Sequence, residues 1–306
     1  MNLSEPRQLG LTGLEPTGGD EPSDSLDGPS GTIGGDPKLQ FSNGYALQFD
    51  QVSRILGGIA GRENQSRVTR EDLIEDTGLS SVHIKHLCSM LVGMGLIKRI
   101  SYNLLPFGEL VVKHDRFFDD RNTLWACHYR LGSNPRNLVW QRLVNHVLPD
   151  LDRVTTEAAR AYFSDLAEDY SERSMEEHLA AELQTCYNAY TKQDLARLRY
   201  VEVVDTNTYA LRIGHAPLDP LILLFAIYDY AGRLSPGATA LEIPALCRAE
   251  NSPGRVFDLT EAKLRNLLDR LHGTGHLTIE RQADLDQVTL SDQASPISAL
   301  ERYYGI

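Results

Sequence analysis

The stretch TREDLIEDTGLSSVHIKHLCSMLVGMGLIKR (residues 69–99) carries the start and stop signals of two consecutive helices. Thr69 is a typical N-cap residue, and Asp72 stands three positions later, where a capping box would place Glu or Gln. Gly78 interrupts the chain, and Ser80 can cap a second, longer helix. A short helix, a glycine turn and a longer helix define the helix-turn-helix motif, which this stretch therefore predicts.

The next residues, LIKRISYNLLPFG (residues 96–108), have the pattern of a wing. They predict a strand, a turn and a return strand that stops at Pro106. Such a hairpin would place Lys98 and Arg99 where they can meet phosphate groups. The sequence thus predicts a winged helix-turn-helix unit over residues 41–112.

The second predicted helix has two distinct faces when it is projected at 100° per residue. One face is apolar, and the other presents a cation, an imidazole and a hydroxyl that can contact phosphates and base edges in a major groove. A metal clamp by His83 and His86 is the alternative for the imidazoles, and a purely protein-binding winged helix is the alternative for the unit. The predicted DNA-binding residues on this face are Val82, Lys85, His86 and Ser89.

The charge distribution favours a local site for a polyanion. Residues 77–108 contain no Asp or Glu, although the chain has 42 acidic and 30 basic residues and a formal net charge of -12. Overall negative charge opposes non-specific attraction to DNA, so any contact must come from a local patch. A second window without acidic residues, residues 121–149, contains Arg121, Arg130, Arg136 and Arg142, of which the first three are further candidate DNA contacts.

One internal similarity relates two distant segments. Residues 79–97 (LSSVHIKHLCSMLVGMGLI) align without gaps with residues 259–277 (LTEAKLRNLLDRLHGTGHL). Each copy has a cap, Ser80 or Thr260, then an apolar stripe and a closing pair of glycines. Chance similarity of capped amphipathic helices is the alternative to duplication. The second copy mixes acids and bases on its outward face, so we expect it to be a scaffold or a protein-binding surface.

The rest of the chain predicts a mainly α protein with small β content (α+β). Residues 1–38 are rich in Gly, Pro, Ser, Asp and Glu, and we expect a disordered acidic tail. Residues 113–198 are predicted to be a helical middle domain. Residues 199–306 are predicted to hold a β-hairpin, a buried helix that begins after Asp219, and a second winged-helix-like unit at about residues 236–290.

Composition narrows the class of protein. The four cysteines form no Cys-x-x-Cys pair, which excludes the usual zinc spacings and favours reduced thiols. The sequence does not open like a signal peptide, and its longest apolar run, residues 221–228, is too short to span a bilayer. These features predict a soluble cytoplasmic protein without a membrane partner. We also expect a homodimer, because proteins that read DNA with twofold symmetry commonly dimerise.

Three short blocks occur together in this chain: LLPFGELVV (residues 104–112), NTLWACHYRLGSNP (residues 122–135) and SPGRVFDLTEAKLRNLL (residues 252–268). In this order and spacing they resemble a bacterial family of domains of unknown function whose members include SspB, a component of DNA phosphorothioation systems. The similarity covers roughly residues 41–290. It implies a role in antiphage defence or DNA modification, with binding of double-stranded DNA and nicking of one strand. The implied partners are a cysteine desulfurase, an ATPase and a protein similar to phosphoadenosine-phosphosulfate (PAPS) reductase.

A nickase needs residues that hydrolyse a phosphodiester, usually carboxylates or histidines that hold Mg²⁺ and a cation for the developing charge. Asp119, Asp120 and His128 lie close in sequence beside the arginine-rich window, and they are the candidate catalytic and metal-binding residues. The alternative is structural: the two aspartates cap a helix, and His128 packs beside Trp125. Arg255, in a turn, can bind a phosphate or fix its loop through backbone carbonyls.

Taken together, the residues and the resemblance favour a DNA-binding component of a phosphorothioation system that nicks one strand with Mg²⁺. The alternative is a non-enzymatic winged-helix regulator or adaptor that binds DNA. The two hypotheses share the DNA-binding surface and differ only in the presence of a catalytic centre.

Overall fold

The structure of the protein is a computed structural model. It describes residues 39, 41–235, 237–281, 285–291 and 294–306. The segment predicted to be a disordered acidic tail, residues 1–38, lies outside the described residues. Within them the chain is mainly helical and contains two small antiparallel sheets. The predicted mainly α class with small β content is confirmed.

The N-terminal part of the described chain consists of α1 (Phe49–Ala60), α2 (Arg70–Thr77), α3 (Ser81–Gly93) and α4 (Pro106–His114). Thr69 and Asp72 form the predicted capping box at the start of α2, where the Asp72 carboxylate accepts from the Thr69 N–H at 2.8 Å. Gly78 ends α2 with a φ of 68°, a left-handed conformation that glycine adopts without strain. The predicted order of helix, glycine turn and helix is therefore present.

The segment after α3 contains less β structure than the predicted wing. A single antiparallel bridge joins Ile97 to Leu104. Its two hydrogen bonds run from the Lys98 N–H to the Asn103 carbonyl at 2.8 Å and from the Leu105 N–H to the Leu96 carbonyl at 3.0 Å. Pro106, expected only to stop a return strand, is the first residue of α4, a position that suits its fixed φ. The two strands predicted here are thus reduced to one bridge.

A helical middle follows. Its elements are α5 (Arg121–Ser133), α6 (Leu138–Arg142), a π-helical turn (Leu143–Val147), α7 (Leu148–Asp150), α8 (Thr156–Arg160), a 3-10 segment (Ala161–Glu168), a second π turn (Ser174–His178), α9 (Leu179–Thr191) and a second 3-10 segment (Asp194–Leu198). α5 is the central helix, since its residues from Thr123 to Tyr129 are all buried. Trp125 and Tyr129 belong to the core.

The predicted hairpin is formed by β1 (Val201–Asp205) and β2 (Thr208–Leu211). Asn207 in the turn has a φ of 55°, a conformation that Asn tolerates better than most residues. The C-terminal part then contains α10 (Pro220–Leu234), β3 (Ala240–Glu242), α11 (Ile243–Arg248), α12 (Pro253–Val256), α13 (Glu261–Gly273), β4 (Thr278–Glu280), β5 (Gln287–Thr289) and α14 (Pro296–Tyr303). The three short strands form one antiparallel sheet in the order β3-β5-β4.

The two segments that are similar in sequence form similar helices. α3 and α13 begin and end at positions 180 residues apart. Ser80 and Thr260 cap them by accepting a backbone N–H at 3.3 Å in each case. Gly95 and Gly275 follow with φ values of 71° and 74°. The predicted helical match is confirmed, and duplication of the unit remains a prediction.

A buried carboxylate holds the start of the folded body. Glu182 of α9 accepts hydrogen bonds from the Ser42 N–H at 3.0 Å, the Ser42 hydroxyl at 2.8 Å and the Asn43 N–H at 2.5 Å. Burial raises the pKa of Glu182, and the hydrogen bonds from Ser42 and Asn43 act in the opposite direction. Asn43 and Gly44 continue with φ values of 52° and 78°. Glu182 therefore fixes this turn against the rest of the molecule.

One hydrophobic cluster extends from the first to the last helix of the described chain. Leu56 of α1, Trp125 of α5 and Leu268 of α13 are among its fully buried members. All four cysteines are free and buried. No helix in the described part of the chain is both long enough and apolar enough to cross a membrane.

Candidate nucleic-acid interface

Five of the ten predicted DNA-binding residues line one cavity of about 360 Å³ beside α3. The cavity lies between the start of α2, the outer side of α3, the loop before α4, the turn after α5 and the N-terminal segment. Its basic residues come from four of these segments. Its lining consists of Phe41, Asn43, Arg70, Lys85, His86, Cys88, Ser89, Val92, Arg99, Tyr102 and Arg136.

The lining of this cavity contains four permanent cations and no carboxylate among the described residues. Arg70, Lys85 and Arg99 form no salt bridge with any carboxylate in the described part of the chain. Cations that share a cavity repel one another unless an anion lies between them. The arrangement is therefore suited to an anionic ligand.

No acidic residue of α2 lines the cavity, and another arginine binds three of the four. Arg62 forms salt bridges with Asp72 at 2.9 Å and with Asp76 at 2.7 Å. The hydrogen bond from Arg62 lowers the pKa of Asp76, and the hydrogen bond from Thr69 lowers that of Asp72. Neither carboxylate is among the cavity residues.

His86 was predicted to face a DNA groove and is instead largely buried. Its ring stacks on Tyr45, with centroids 4.9 Å apart and planes 12° apart, and its Nε2 lies 3.3 Å from the Asn43 amide nitrogen. The His83 ring is tilted against the same tyrosine, with centroids 5.0 Å apart. Burial, with Lys85 and His83 nearby, lowers the pKa of His86. His86 therefore borders the cavity as a mainly neutral, packed side chain and cannot reach base edges.

The remaining predicted residues of the first unit lie at the surface. Val82 is 51% exposed near the start of α3. Lys98 is exposed next to Arg99 but is not part of the cavity lining. The apolar face of α3 is buried as predicted, so Lys85 and Ser89 are held on the side that faces the cavity.

The arginine-rich window divides into residues with different roles. Arg136 is buried in the cavity wall, in the turn between α5 and α6. Arg121 is exposed at the first turn of α5, roughly 20 Å away along that helix at 1.5 Å per residue. Arg130, predicted to contact DNA, instead forms a largely buried salt bridge with Asp229 at 2.9 Å and lies over the Phe225 ring.

Arg255 was predicted to bind a phosphate or to fix its own loop, and the contacts match the second role. Its Nε donates to the Asn145 carbonyl at 2.6 Å, and its Nη2 forms a salt bridge with Asp150 at 3.1 Å. The guanidinium thus joins α12 to the π turn after α6. The prediction of Arg255 as a DNA contact is not supported by these contacts.

The proposed catalytic group of Asp119, Asp120 and His128 does not form. Asp120 caps α5 by accepting from the Asn122 N–H at 2.9 Å and also accepts from the Tyr303 hydroxyl at 2.5 Å. Asp119 is exposed beside it. The structural alternative, a helix cap and a packed histidine, is the one observed.

His128 is fully enclosed and uses both ring nitrogens inside the core. Its Nδ1 lies 2.7 Å from the Tyr190 hydroxyl, and its Nε2 lies 2.8 Å from the Val256 carbonyl. The ring also packs edge-on against Trp125 at 5.2 Å. Burial lowers the pKa of His128 to about 4. No nitrogen remains for a metal ion.

A Mg²⁺ site was expected if the protein is a nickase. Within the described ranges, no three His, Cys, Asp or Glu side chains converge in a way that could hold a metal ion. Mg²⁺ usually keeps several waters and binds through one or two carboxylates together with substrate phosphates. The described residues therefore contain no preformed site with three or more such ligands.

The second copy of the repeated helix differs in its electrostatics. Arg265, at the position equivalent to Lys85, forms salt bridges with Glu261 at 3.0 Å and Asp286 at 2.5 Å. Arg281 is similarly paired with Asp269 at 2.8 Å. The basic side chains on this side are thus neutralised by the chain's own carboxylates, in contrast to Lys85.

Sequence reasoning missed several residues of the cavity. Arg70 lies in the helix-turn-helix stretch, but it precedes the acid-free window and was not selected. Arg70 is the first residue of α2, where a cation interacts unfavourably with the helix dipole. This unfavourable position is a sequence signal that the arginine serves a role other than stabilising the helix. Asn43 and Tyr102 carry no such signal, because only the tertiary fold brings them to α3.

Comparisons with known proteins agree with this fold. A family model described as "Protein of unknown function (DUF4007)" matches residues 91–304. The magnesium ion-bound SspB crystal structure has a TM-score of 0.68 at 16% identity, covering 88% of this chain and 90% of that chain. A second SspB crystal structure has a TM-score of 0.67 at 16% identity, covering 86% of this chain and 87% of that one. A search of curated proteins finds no match.

Proposed function

The chain belongs to the DUF4007 family, and from this membership and the fold it shares with SspB we propose that it is the DNA-binding component of a DNA phosphorothioation system. The family resemblance seen in the three sequence blocks is confirmed by these comparisons. The proposed activity is nicking of one strand of double-stranded DNA with Mg²⁺, which one of the SspB structures contains.

The observation that carries the DNA-binding part of the proposal is the cavity beside α3. Arg70, Lys85, Arg99 and Arg136 meet there without a carboxylate in the described lining, in a chain whose net charge is -12. Phosphate contacts supply most of the affinity of proteins for DNA, and they require such local cations in an acidic protein. The exposed residues Val82 and Lys98 extend the proposed contact surface beyond the cavity.

The element order supports the proposal that both ends contain winged-helix-like units. In the C-terminal part, α10, β3, α11, α12 and α13 are followed by β4 and β5, which pair with β3 in one sheet. In the N-terminal part, α2 and α3 are followed by the loop bridged at Ile97 and Leu104. The N-terminal unit is proposed to contact DNA and the C-terminal unit to contact protein.

Binding of a duplex tests the proposed surface. The variant Lys85→Glu with Arg99→Glu should bind a 20-base-pair duplex much more weakly than the wild type, with a salt dependence that is flatter by about two units of log K against log salt. The matched control is Lys263→Glu with Arg270→Glu, which makes the same charge change at two exposed positions of α13. Equal losses in both variants, or none in either, would contradict the assignment to the cavity.

Nicking is tested separately with supercoiled plasmid. Purified protein with Mg²⁺ should convert the plasmid to relaxed circles, and EDTA should stop the conversion. A preparation that binds DNA but never yields relaxed circles would leave the non-enzymatic regulator or adaptor as the better description.

The expected homodimer and the system partners are also proposals. Light scattering coupled to gel filtration should give about twice the monomer mass of 34.1 kDa. Co-purification with the cysteine desulfurase, the ATPase and the PAPS-reductase-like protein of the same locus would identify which partner binds. A monomeric mass at micromolar concentration would remove the homodimer from the proposal.

A further inference from the structure

The shape of the basic site differs from that of a surface that reads a duplex. A major groove accepts a protruding helix or β-ribbon, whereas the cations here line a concave space of about 360 Å³. Cavities of about 300 Å³ or more are in the size range of small-molecule sites. A duplex can contact the exposed Lys85 and Arg99 only from outside this space, whereas a single phosphate group with part of its nucleotide can enter it.

The outer face of α3 is also partly covered by the chain itself. Tyr45 lies against His83 and His86, and Asn43 lies beside His86. The segment that contains both residues therefore occupies the side of α3 that a recognition helix would insert into DNA. Only the beginning of α3, around Val82 and Lys85, stays exposed.

The charge of the cavity exceeds what one backbone phosphate needs. A phosphodiester carries one negative charge, whereas a phosphate monoester carries about 1.5 to 2 at pH 7 and offers three acceptor oxygens. Arg70, Lys85 and Arg99, which form no salt bridge within the described chain, supply three cations, and Arg136 belongs to the same lining. The guanidinium fork of arginine suits the oxygens of a phosphate group.

Neutral donors complete the lining. Asn43, Ser89 and Tyr102, whose side chains carry neutral donors, line the same cavity. Tyr102 is half-buried and also contributes an aromatic side chain of the kind that stacks with nucleobases. Cations, neutral donors and one ring are together the groups needed for a nucleotide that ends in a phosphate.

We propose that the cavity beside α3 binds a terminal phosphate monoester of a nucleotide. The proposal rests on the proposed function where the nucleotide is the end of a DNA strand, as at a nick. The same chemistry is present in a free mononucleotide, and the two sources are separated by the experiment below.

The test measures binding of the full-length protein to short fluorescent DNA strands by anisotropy. Three strands of the same sequence carry a 5′-phosphate, a 3′-phosphate or hydroxyl groups at both ends. We expect a phosphorylated end to bind about tenfold more tightly than the hydroxyl strand, the effect of one additional charge-assisted contact. Unlabelled dAMP is added as a competitor to test the free nucleotide.

Two neighbouring residues give a matched pair of variants. Arg99→Gln removes a cation from the cavity, and Lys98→Gln removes one from the adjacent exposed position outside it. Arg99→Gln should abolish the preference for a phosphorylated end, and Lys98→Gln should retain it. Unchanged thermal unfolding of both variants shows that each is folded.

The outcomes separate this proposal from the proposed function. Preference for a phosphorylated end that depends on Arg99 supports the site with DNA as its source, and competition by dAMP alone supports it with a free nucleotide. Equal binding of all three strands without competition by dAMP overturns it, even where duplex binding persists and the proposed function stands. A preference that Arg99→Gln leaves unchanged also overturns it. Binding of dAMP by a protein that binds no duplex would instead remove the proposed function.

Discussion

His128 illustrates what a single residue does in this fold. Its two ring nitrogens contact Tyr190, 62 positions away in sequence, and Val256, 128 positions away. Packing beside Trp125 could be predicted from helical spacing, but these two partners could not, because no local pattern relates them. Its position beside acidic residues in sequence predicts a catalytic histidine, although in the fold it connects three parts of the core.

The pH dependence of stability follows from His128. Its pKa is 6.5 in an unfolded chain and about 4 in the fold, so the unfolded state binds a proton first as the pH falls from 7. The free energy of unfolding should decrease by roughly 3 kcal/mol between pH 7 and pH 4 because of this group. Urea unfolding at a series of pH values measures the decrease.

The variant His128→Gln isolates this contribution. Burial raises the pKa of the Asp115 and Glu182 carboxyls, which strengthens folding as the pH falls and acts against His128. The pH profile of the variant should therefore lack the histidine component and retain the carboxyl component. Identical profiles for variant and wild type would contradict the assignment.

Two buried tyrosines offer a second test at the scale of the residue. The Tyr190 hydroxyl contacts His128 and accepts from the Trp140 indole N–H at 2.9 Å, whereas the Tyr200 hydroxyl has no hydrogen-bond partner within the described chain. Tyr190→Phe should lower the free energy of unfolding by about 1–3 kcal/mol, because it leaves buried polar groups unsatisfied. Tyr200→Phe should change it by less than about 0.5 kcal/mol. Chemical denaturation of both variants gives the comparison, and equal effects would contradict it.

The residues of the basic cavity were predictable only where the signal was local. Lys85, Ser89 and Arg99 follow from helical projection and from the absence of acids nearby. Arg130 has the same local signal, but Asp229 neutralises it from α10, 99 positions along the chain. The burial of His86 could not be predicted for a similar reason. Tyr45 stacks on it from a segment whose sequence has no helical or strand periodicity.

At the scale of the element, caps and turns determined what the sequence could predict. The starts of α2, α3, α10 and α13 follow from Thr69, Ser80, Asp219 and Thr260, whose side chains bond to backbone groups a few residues away. The wing was less predictable, because strand pairing depends on packing across the sheet as well as on local propensity. In the region after α3, a single bridge and the early start of α4 replace the expected strands.

Two helical glycines give an element-scale prediction. A Cβ at Gly108 of α4 would collide with the Leu96 carbonyl oxygen, whereas a Cβ at Gly232 of α10 would meet no neighbouring atom within 4 Å. Gly108→Ala should therefore lower the free energy of unfolding by about 1–3 kcal/mol through overpacking. Gly232→Ala should raise it by about 0.5–1 kcal/mol, because alanine favours the helix.

Thermal and urea unfolding of the two glycine variants measure these opposite signs. Gly232→Ala is the matched control, since it adds the same methyl group within a helix. If Gly108→Ala leaves the free energy of unfolding unchanged, α4 can move away from the turn at Leu96 without loss of stability.

At the scale of the whole molecule, the described residues share one hydrophobic core, whereas the sequence predicts several separate domains. The boundary expected between residues 112 and 113 falls inside α4, and the hydrophobic cluster continues from α1 to α14. Sequence patterns mark where helices begin, but they carry no information on which helices share a core. The domain boundaries therefore remain predictions, and unfolding experiments can test them.

Cooperative unfolding is the expected consequence of that single core. Leu56→Ala in α1 and Leu268→Ala in α13 each remove a fully buried side chain and should each cost about 2–5 kcal/mol. Both should lower the same calorimetric transition, because the two ends unfold together. Two separate transitions, each moved by only one variant, would show that the ends are independent domains.

The Glu182 carboxylate influences the basic cavity although it does not line it. It belongs to α9, which contributes no residue to the basic cavity, yet through Ser42 and Asn43 it positions the stretch from Phe41 to Tyr45 that forms one cavity wall. The variant Glu182→Gln should therefore weaken binding of a phosphorylated DNA strand, although it changes none of the cations of the cavity. Titration followed by fluorescence anisotropy measures the loss of affinity. A change in the packing of α9 would therefore alter the lining of the basic cavity without contacting its cations.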